Sequence, residues 1–216
     1  MTSRGQILAA ARRLIDRDGW EQLSIRKLAA EIGVGATTLY HHVQDKEDLL
    51  FLLIHEAGEQ VPHPDLPDEP GERIVVAAMT IHDALAAWPW AAEVLTTDGF
   101  IARLGDSALG LVEVIVAAAI QRGCTPDQAV HVFRGIWYYT VGEILVRSHS
   151  ARRRESNQPV YRDALFGSLD PAKLPHLASL GERWAALAAR DTYSDGLRAL
   201  VNGLLAQGGC AAPQVP

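Results

Sequence analysis

Ile7, Ala11, Leu14 and Ile15 recur at helical spacing near the start of the chain, with polar or basic residues at many of the positions between them. That rhythm predicts a first amphipathic helix from Arg4 to Asp18, ended by Gly19. Ile25, Leu28, Ala29 and Ile32 repeat it at i, i+3, i+4 and i+7, one face of a short second helix. Ser24 stands just before that run, where its oxygen can cap the first free N–H groups. Gly33 follows the last apolar residue, where only glycine turns left-handed without steric cost. A third short helix, Ala36 to His42, turns Leu39 and Val43 inward, and Trp20 and Leu23 are expected to pack between the first helix and this pair. Short helix, glycine turn, short helix is the pattern of a helix-turn-helix, whose second helix enters the major groove of DNA.

Downstream the helical period continues. Asp45 to Gln60 predicts a fourth helix that buries Leu49, Leu50, Leu53, Ile54 and Ala57. Four prolines between Val61 and Glu72 forbid helix there and mark the boundary of the head. Helices are then expected over Glu72–Trp88, a short piece near Trp90–Thr97, Leu104–Arg122 and Pro126 to about Ser148. Leu104–Arg122 is apolar nearly all round, as for a helix at the centre of a bundle. Ala151–Pro175 reads as a loop with one short helix, and Leu177–Ala189 and Thr192–Gln207 as the last two helices. No alternating strand pattern occurs, so the expected class is all-α. The division is a head over residues 1–48, a larger helical domain over 49–210 and a disordered tail over 211–216.

Charge changes this picture in one respect. The 216-residue chain carries a net charge of −6, which looks wrong for a nucleic-acid binder until it is divided. Residues 1–46 hold seven Lys/Arg against five Asp/Glu, while the remainder holds thirteen against twenty-one. The basic excess therefore lies on the helix-turn-helix side. Met1–Arg13 lacks the apolar run of a signal peptide, and Ala108–Ile120 is too short to span a bilayer, so a cytoplasmic protein without a membrane partner is expected. Cys124 and Cys210 are far apart and are expected to be reduced and inert. No P-loop, dinucleotide fingerprint, nucleophile elbow or helical histidine pair is present, so no enzyme is expected. Adjacent His41 and His42 point about 100° apart on a helix and suit DNA better than a metal.

The residues left facing outward from the head are Thr37, Thr38, Tyr40, His41, His42 and Lys46, all groups that hydrogen-bond to phosphates or base edges. The stretch LSIRKLAAEIGVGATTLYHHVQDKEDLL, within residues 4–55, resembles the DNA-binding segment of the TetR family of bacterial transcriptional regulators. TLYHHVQDKEDLL looks most like its tetracycline-repressor branch. The resemblance implies a homodimer on a palindromic double-stranded operator, an all-helical effector domain and DNA release by a small ligand. It also implies a guanine contact for Arg26, base-facing positions for Ala36, Thr37, Thr38 and His41, and phosphate contacts for Ser24, Tyr40, His42 and Lys46. Gly35 stands where the family often opens this helix with serine or threonine, so it belongs to the DNA face without a side-chain cap.

The larger domain is rich in aromatic residues, and Trp88, Trp90, Phe100, Phe133 and Trp137 suggest an apolar cavity between helices. His82, Arg134, Thr140 and Glu143 are its expected polar anchors. On the last helix Leu197, Leu200, Val201 and Leu204 form a stripe that needs a partner. By the resemblance, that partner is the same helix of a second subunit, with the Pro126–Ser148 helix completing the interface; packing within the monomer is the alternative. The tetracycline-repressor branch holds its drug as a magnesium chelate through a histidine and a glutamate. Those positions fall near Leu95 and Val146 here, so the expected effector is a small hydrophobic, ring-containing molecule bound without metal or other cofactor. The alternatives are a DNA-binding regulator with no small-molecule effector, and an all-helical enzyme or carrier that keeps the head only as a packing unit.

Overall fold

The Ser3 hydroxyl accepts a hydrogen bond from the Gln6 N–H at 3.2 Å, while the Gln6 side chain accepts from the Ser3 N–H at 2.9 Å. This reciprocal cap starts α1 (Arg4–Asp18), and Gly19 closes it. The computed structural model describes residues 3–97, 99–155, 168–181 and 183–207, and no strand occurs among them. A 3₁₀ turn (Trp20–Gln22) leads into α2 (Ile25–Ile32), α3 (Ala36–Tyr40) and α4 (Lys46–Gly58). Gly33 is left-handed at φ 79°, as the glycine turn requires. Ile7, Leu28, Leu39, Leu49 and Leu53 are fully buried, so α4 shares one core with the three helices before it.

The body follows: α5 (Pro70–Ala86), α6 (Pro89–Val94), a 3₁₀ turn (Phe100–Arg103), α7 (Asp106–Gln121) and α8 (Pro126–Glu155). It closes with α9 (Pro175–Leu180), α10 (Arg183–Ala188) and α11 (Tyr193–Gln207). α5 packs along α7 and α11, while α8 packs against α5, α6, α7 and α11.

Several boundaries differ from the sequence reading for definable reasons. α5 begins inside the proline-rich segment because Pro70 occupies its first turn, where no N–H is needed, and Glu69 caps it. α8 runs on to Glu155, so Arg152 stands on the helix and not in a polar loop. Residues 177–189 form two helices because Gly181, at φ 49°, breaks them. α7 buries Ile115, Ala118 and Ala119 but leaves Leu109 and Ile120 exposed, so it flanks the body where a central helix was expected. Cys124, buried at the turn between α7 and α8, is disulfide-bonded where a reduced thiol was expected. Cys210, the other cysteine of that expectation, lies outside the described residues. The expected tail over 211–216 lies outside the described residues, as does most of the expected 151–175 loop.

Candidate functional site

The head presents one polar face. Arg26, Gly35, Thr37, Thr38, Tyr40, His41 and His42 are exposed, and Ser24, Ala36 and Lys46 are half-buried at its edges. α3 is held by buried Leu39, with half-buried Ala36 also packed on the core, which leaves Thr37, Thr38 and Tyr40 exposed. The Ser24 oxygen accepts from the Lys27 N–H at 3.2 Å, which leaves its hydroxyl proton available to a phosphate. Gly35 opens α3 without a side-chain cap. His41 closes α3 as its C-cap residue, and His42 follows in the turn. Asp45 caps α4 by accepting from the Asp48 N–H at 2.8 Å, and Asp48 accepts from the Gln44 N–H at 2.9 Å. Lys46, the first residue of α4, donates to the Glu21 carbonyl at 2.9 Å and holds its ammonium 5.1 Å from the centre of the Trp20 ring.

In the body a cavity of about 640 Å³ opens between α4, α5, α6, α7 and α8. Trp88, Phe100, Phe133 and Trp137 line it, with Phe100 stacked on Trp137 at 4.6 Å between ring centres and Phe133 at 6.5 Å. Ile54, Ala57 and Gly58 at the C-terminal end of α4 form another part of the wall. The polar lining comes from Gln60, His63, Thr80, Asp83 and Ser107, none of which the sequence reading singled out. The available signal was position: Thr80, Ala84 and Trp88 lie at four-residue steps on one side of the α5 segment.

The other residues expected at a ligand lie elsewhere. Trp90 is half-buried and stacks on Trp88 at 6.2 Å without lining the cavity. Arg134 is exposed on α8, where its guanidinium donates to the Tyr138 hydroxyl. His82, Thr140 and Glu143 meet in a separate polar seam where α5, α8 and α11 converge. There the His82 ring bridges Asp83 at 2.9 Å and Glu143 at 3.0 Å and stacks on Tyr193 at 3.9 Å. Thr140, buried, shares a 2.7 Å hydrogen bond with the Tyr193 hydroxyl. Burial pushes the Tyr193 phenol up to about 12, against the pull of that hydrogen bond. Asp83 joins the two regions, for it lines the cavity and pairs with His82.

The expected dimer stripe divides in the same way. Leu197 and Val201 are fully buried within the subunit, so they are core residues and have no surface for a second chain to cover. Leu200 and Leu204 are half-buried. Val130, Arg134, Tyr138, Gly142 and Val146 are exposed at four-residue steps along α8, and Ala199, Asn202, Gly203 and Ala206 are exposed on α11. Leu95 turns its alkyl side chain into the cavity wall, whereas Val146 is on the exposed stripe.

Two family models match. One, described as bacterial regulatory proteins of the tetR family, covers residues 7–53, and the other, the tetracyclin repressor-like C-terminal domain, covers residues 63–207. The chain belongs to the TetR family. It is therefore a DNA-binding, helix-turn-helix transcription regulator of a ligand-binding family, not an enzyme. An HTH-type transcriptional regulator of Saccharopolyspora erythraea is 31% identical over 152 residues, which cover 68% of this chain and 62% of that protein's length. The HTH-type transcriptional repressor DrrR1 of Streptomyces coeruleorubidus is 27% identical over 211 residues, covering 92% and 76%. Among solved structures, the TetR family protein ActR of Streptomyces coelicolor in complex with actinorhodin superimposes with a TM-score of 0.77 at 24% identity, covering 96% of this chain and 97% of that one. Among the described residues, no helix is long and apolar enough to cross a membrane.

Proposed function

We propose that this TetR family regulator is a cytoplasmic repressor that binds a palindromic operator as a homodimer and is released by a small hydrophobic effector. The observation that carries the reading is the aromatic-walled cavity whose wall includes the end of α4. The N-terminal end of α4 follows the recognition helix α3 directly, and its C-terminal end borders the cavity. A ring system inserted beside Ile54, Ala57 and Gly58 pushes on the end of α4 far from the DNA, and the head at the other end turns. Two recognition helices reading half-sites one turn apart must stand about 34–36 Å from each other. A small tilt of α4 in each subunit spoils that spacing. The ligand moves the equilibrium only by its difference in affinity for the two postures.

The head spans residues 1–48 and the effector and dimerisation domain residues 49–210. Arg26 reads a base edge, and Ala36, Thr37, Thr38 and His41 face the bases. Ser24, Tyr40, His42 and Lys46 hold phosphates, with Gly35 letting the backbone approach. In the cavity Trp88, Phe100, Phe133 and Trp137 stack on the effector, while Thr80, Ser107 and Gln60 orient it. A lining with so few polar groups suits a ring-containing effector held without metal. ActR, whose fold is similar, is solved in complex with actinorhodin, which supports a small-molecule effector for this chain as well. The two subunits meet along α8 and α11, through Val130, Tyr138 and Val146 and the small residues Ala199 and Gly203 that allow close approach.

The test is release of selected operator DNA by a neutral polycyclic aromatic compound in EDTA. Release that tetracycline produces only with magnesium would contradict the reading.

A further inference from the structure

The segment from Trp88 to Leu95 lies between the cavity and the head. On one side Trp88, Ala91 and Leu95 form cavity wall. On the other, the Glu93 carboxylate accepts a 2.7 Å hydrogen bond from the indole N–H of Trp20, in the turn between α1 and α2. The Arg12 guanidinium of α1 sits 5.0 Å from the centre of the Trp88 ring and pairs with Glu56 of α4 at 2.9 Å. Glu93 is only 19% exposed and is backed from α8 by His149 at 3.4 Å and Arg152 at 3.9 Å. The Trp20 ring in turn carries the Lys46 ammonium at the edge of the DNA face.

An indole N–H can only donate, and a carboxylate acceptor makes such a bond stronger than a neutral one. A half-buried bond of this kind between two domains fixes an angle as well as a distance. We propose that the Trp20–Glu93 hydrogen bond is a positioning contact that sets the DNA-binding head against the cavity wall, so that effector occupancy reaches the head through α6 in parallel with α4. The transmission half of this rests on the effector reading above. Movement of Ala91 and Leu95 by a ligand carries Glu93 with them, because all three stand on the same short segment. Trp20 then loses its partner or follows it, and Lys46 moves with the ring beneath it.

The test is a double-mutant cycle on the full-length protein, read through affinity for an operator selected from random-sequence DNA. Trp20→Phe keeps an aromatic face near Lys46 and removes the N–H together with part of the ring system. Glu93→Leu removes the acceptor, while Glu93→Gln keeps an oxygen that accepts from the indole. Trp20→Phe and Glu93→Leu are each expected to change operator affinity roughly 2- to 30-fold, and the double variant no further than the stronger single one. Glu93→Gln should stay near wild type, and all variants should keep the wild-type helical circular dichroism at the assay temperature. Saturating anilinonaphthalene sulfonate, followed by its own fluorescence, should weaken operator binding of the wild type more than that of Trp20→Phe or Glu93→Leu. Additive single effects, or a Glu93→Gln variant as impaired as Glu93→Leu, would overturn the proposal. A coupled cycle in a wild type that the probe occupies without releasing DNA would leave the positioning role standing and count against transmission from the cavity.

Discussion

Lys46 has two partners before any DNA arrives, the Glu21 carbonyl and the Trp20 ring. Both partners steady an ammonium at a helix N-terminus, a place the helix dipole disfavours until an anion joins it. Lys46→Ala should therefore weaken binding to every DNA sequence alike and lower the salt slope by about one. Arg26→Ala should cost roughly 1–3 kcal/mol mainly at one base pair, since a guanidinium fork matches a guanine edge. Competition between operator and random DNA separates the two effects. Equal losses on both DNAs for Arg26→Ala would remove its base-reading role. Tyr193 gives a pH prediction. Its phenol is raised from 10.0 to about 12 in the fold, so the folded state keeps a proton that the unfolded chain releases. The stability this contributes is complete below pH 10 and is lost as pH rises through 12. In urea melts from pH 9 to 12, Tyr193→Phe should be less stable at the lower pH and show a flatter decline. Parallel declines would assign the alkaline loss to other groups.

At the scale of elements, much of the head was legible because local chemistry decides it. Ser24, Gly33 and Asp45 mark helix ends through caps and one left-handed turn, and these need no tertiary information. The cavity aromatics were legible as a cluster, and Trp88, Phe100, Phe133 and Trp137 all line the cavity. Their expected polar companions were not. Trp137 and Glu143 are six residues apart, about 240° round a helix, so they meet different neighbours. The stripe on α11 posed a related difficulty, since an apolar stripe announces a cover without naming the chain that supplies it. Leu197 and Val201 are covered by their own subunit. A contrast follows. Tyr138→Arg with Val146→Arg alters the exposed face of α8 and should give folded monomers in size-exclusion chromatography, with operator affinity greatly reduced. Leu197→Glu buries an unpaired carboxylate and should unfold the subunit itself, losing helical circular dichroism. An intact dimer after the α8 substitutions would move the interface elsewhere.

Across the whole molecule, several contacts among the described residues join the head to the cavity region, the Arg103–Glu47 ion pair at 2.6 Å among them. α4 runs from one to the other, Arg12 spans Glu56 and Trp88, and Trp20 meets Glu93 on α6. The central claim is that filling the cavity moves the head without help from a metal. The most direct measurement is an operator-release titration with neutral polycyclic aromatic compounds in EDTA, run beside tetracycline with magnesium. The account expects release by a polycyclic compound in EDTA, an apparent affinity at least about ten-fold weaker in Trp137→Ala because a stacking wall is lost, and no effect of magnesium–tetracycline. Release by tetracycline that requires magnesium and disappears in EDTA would contradict it.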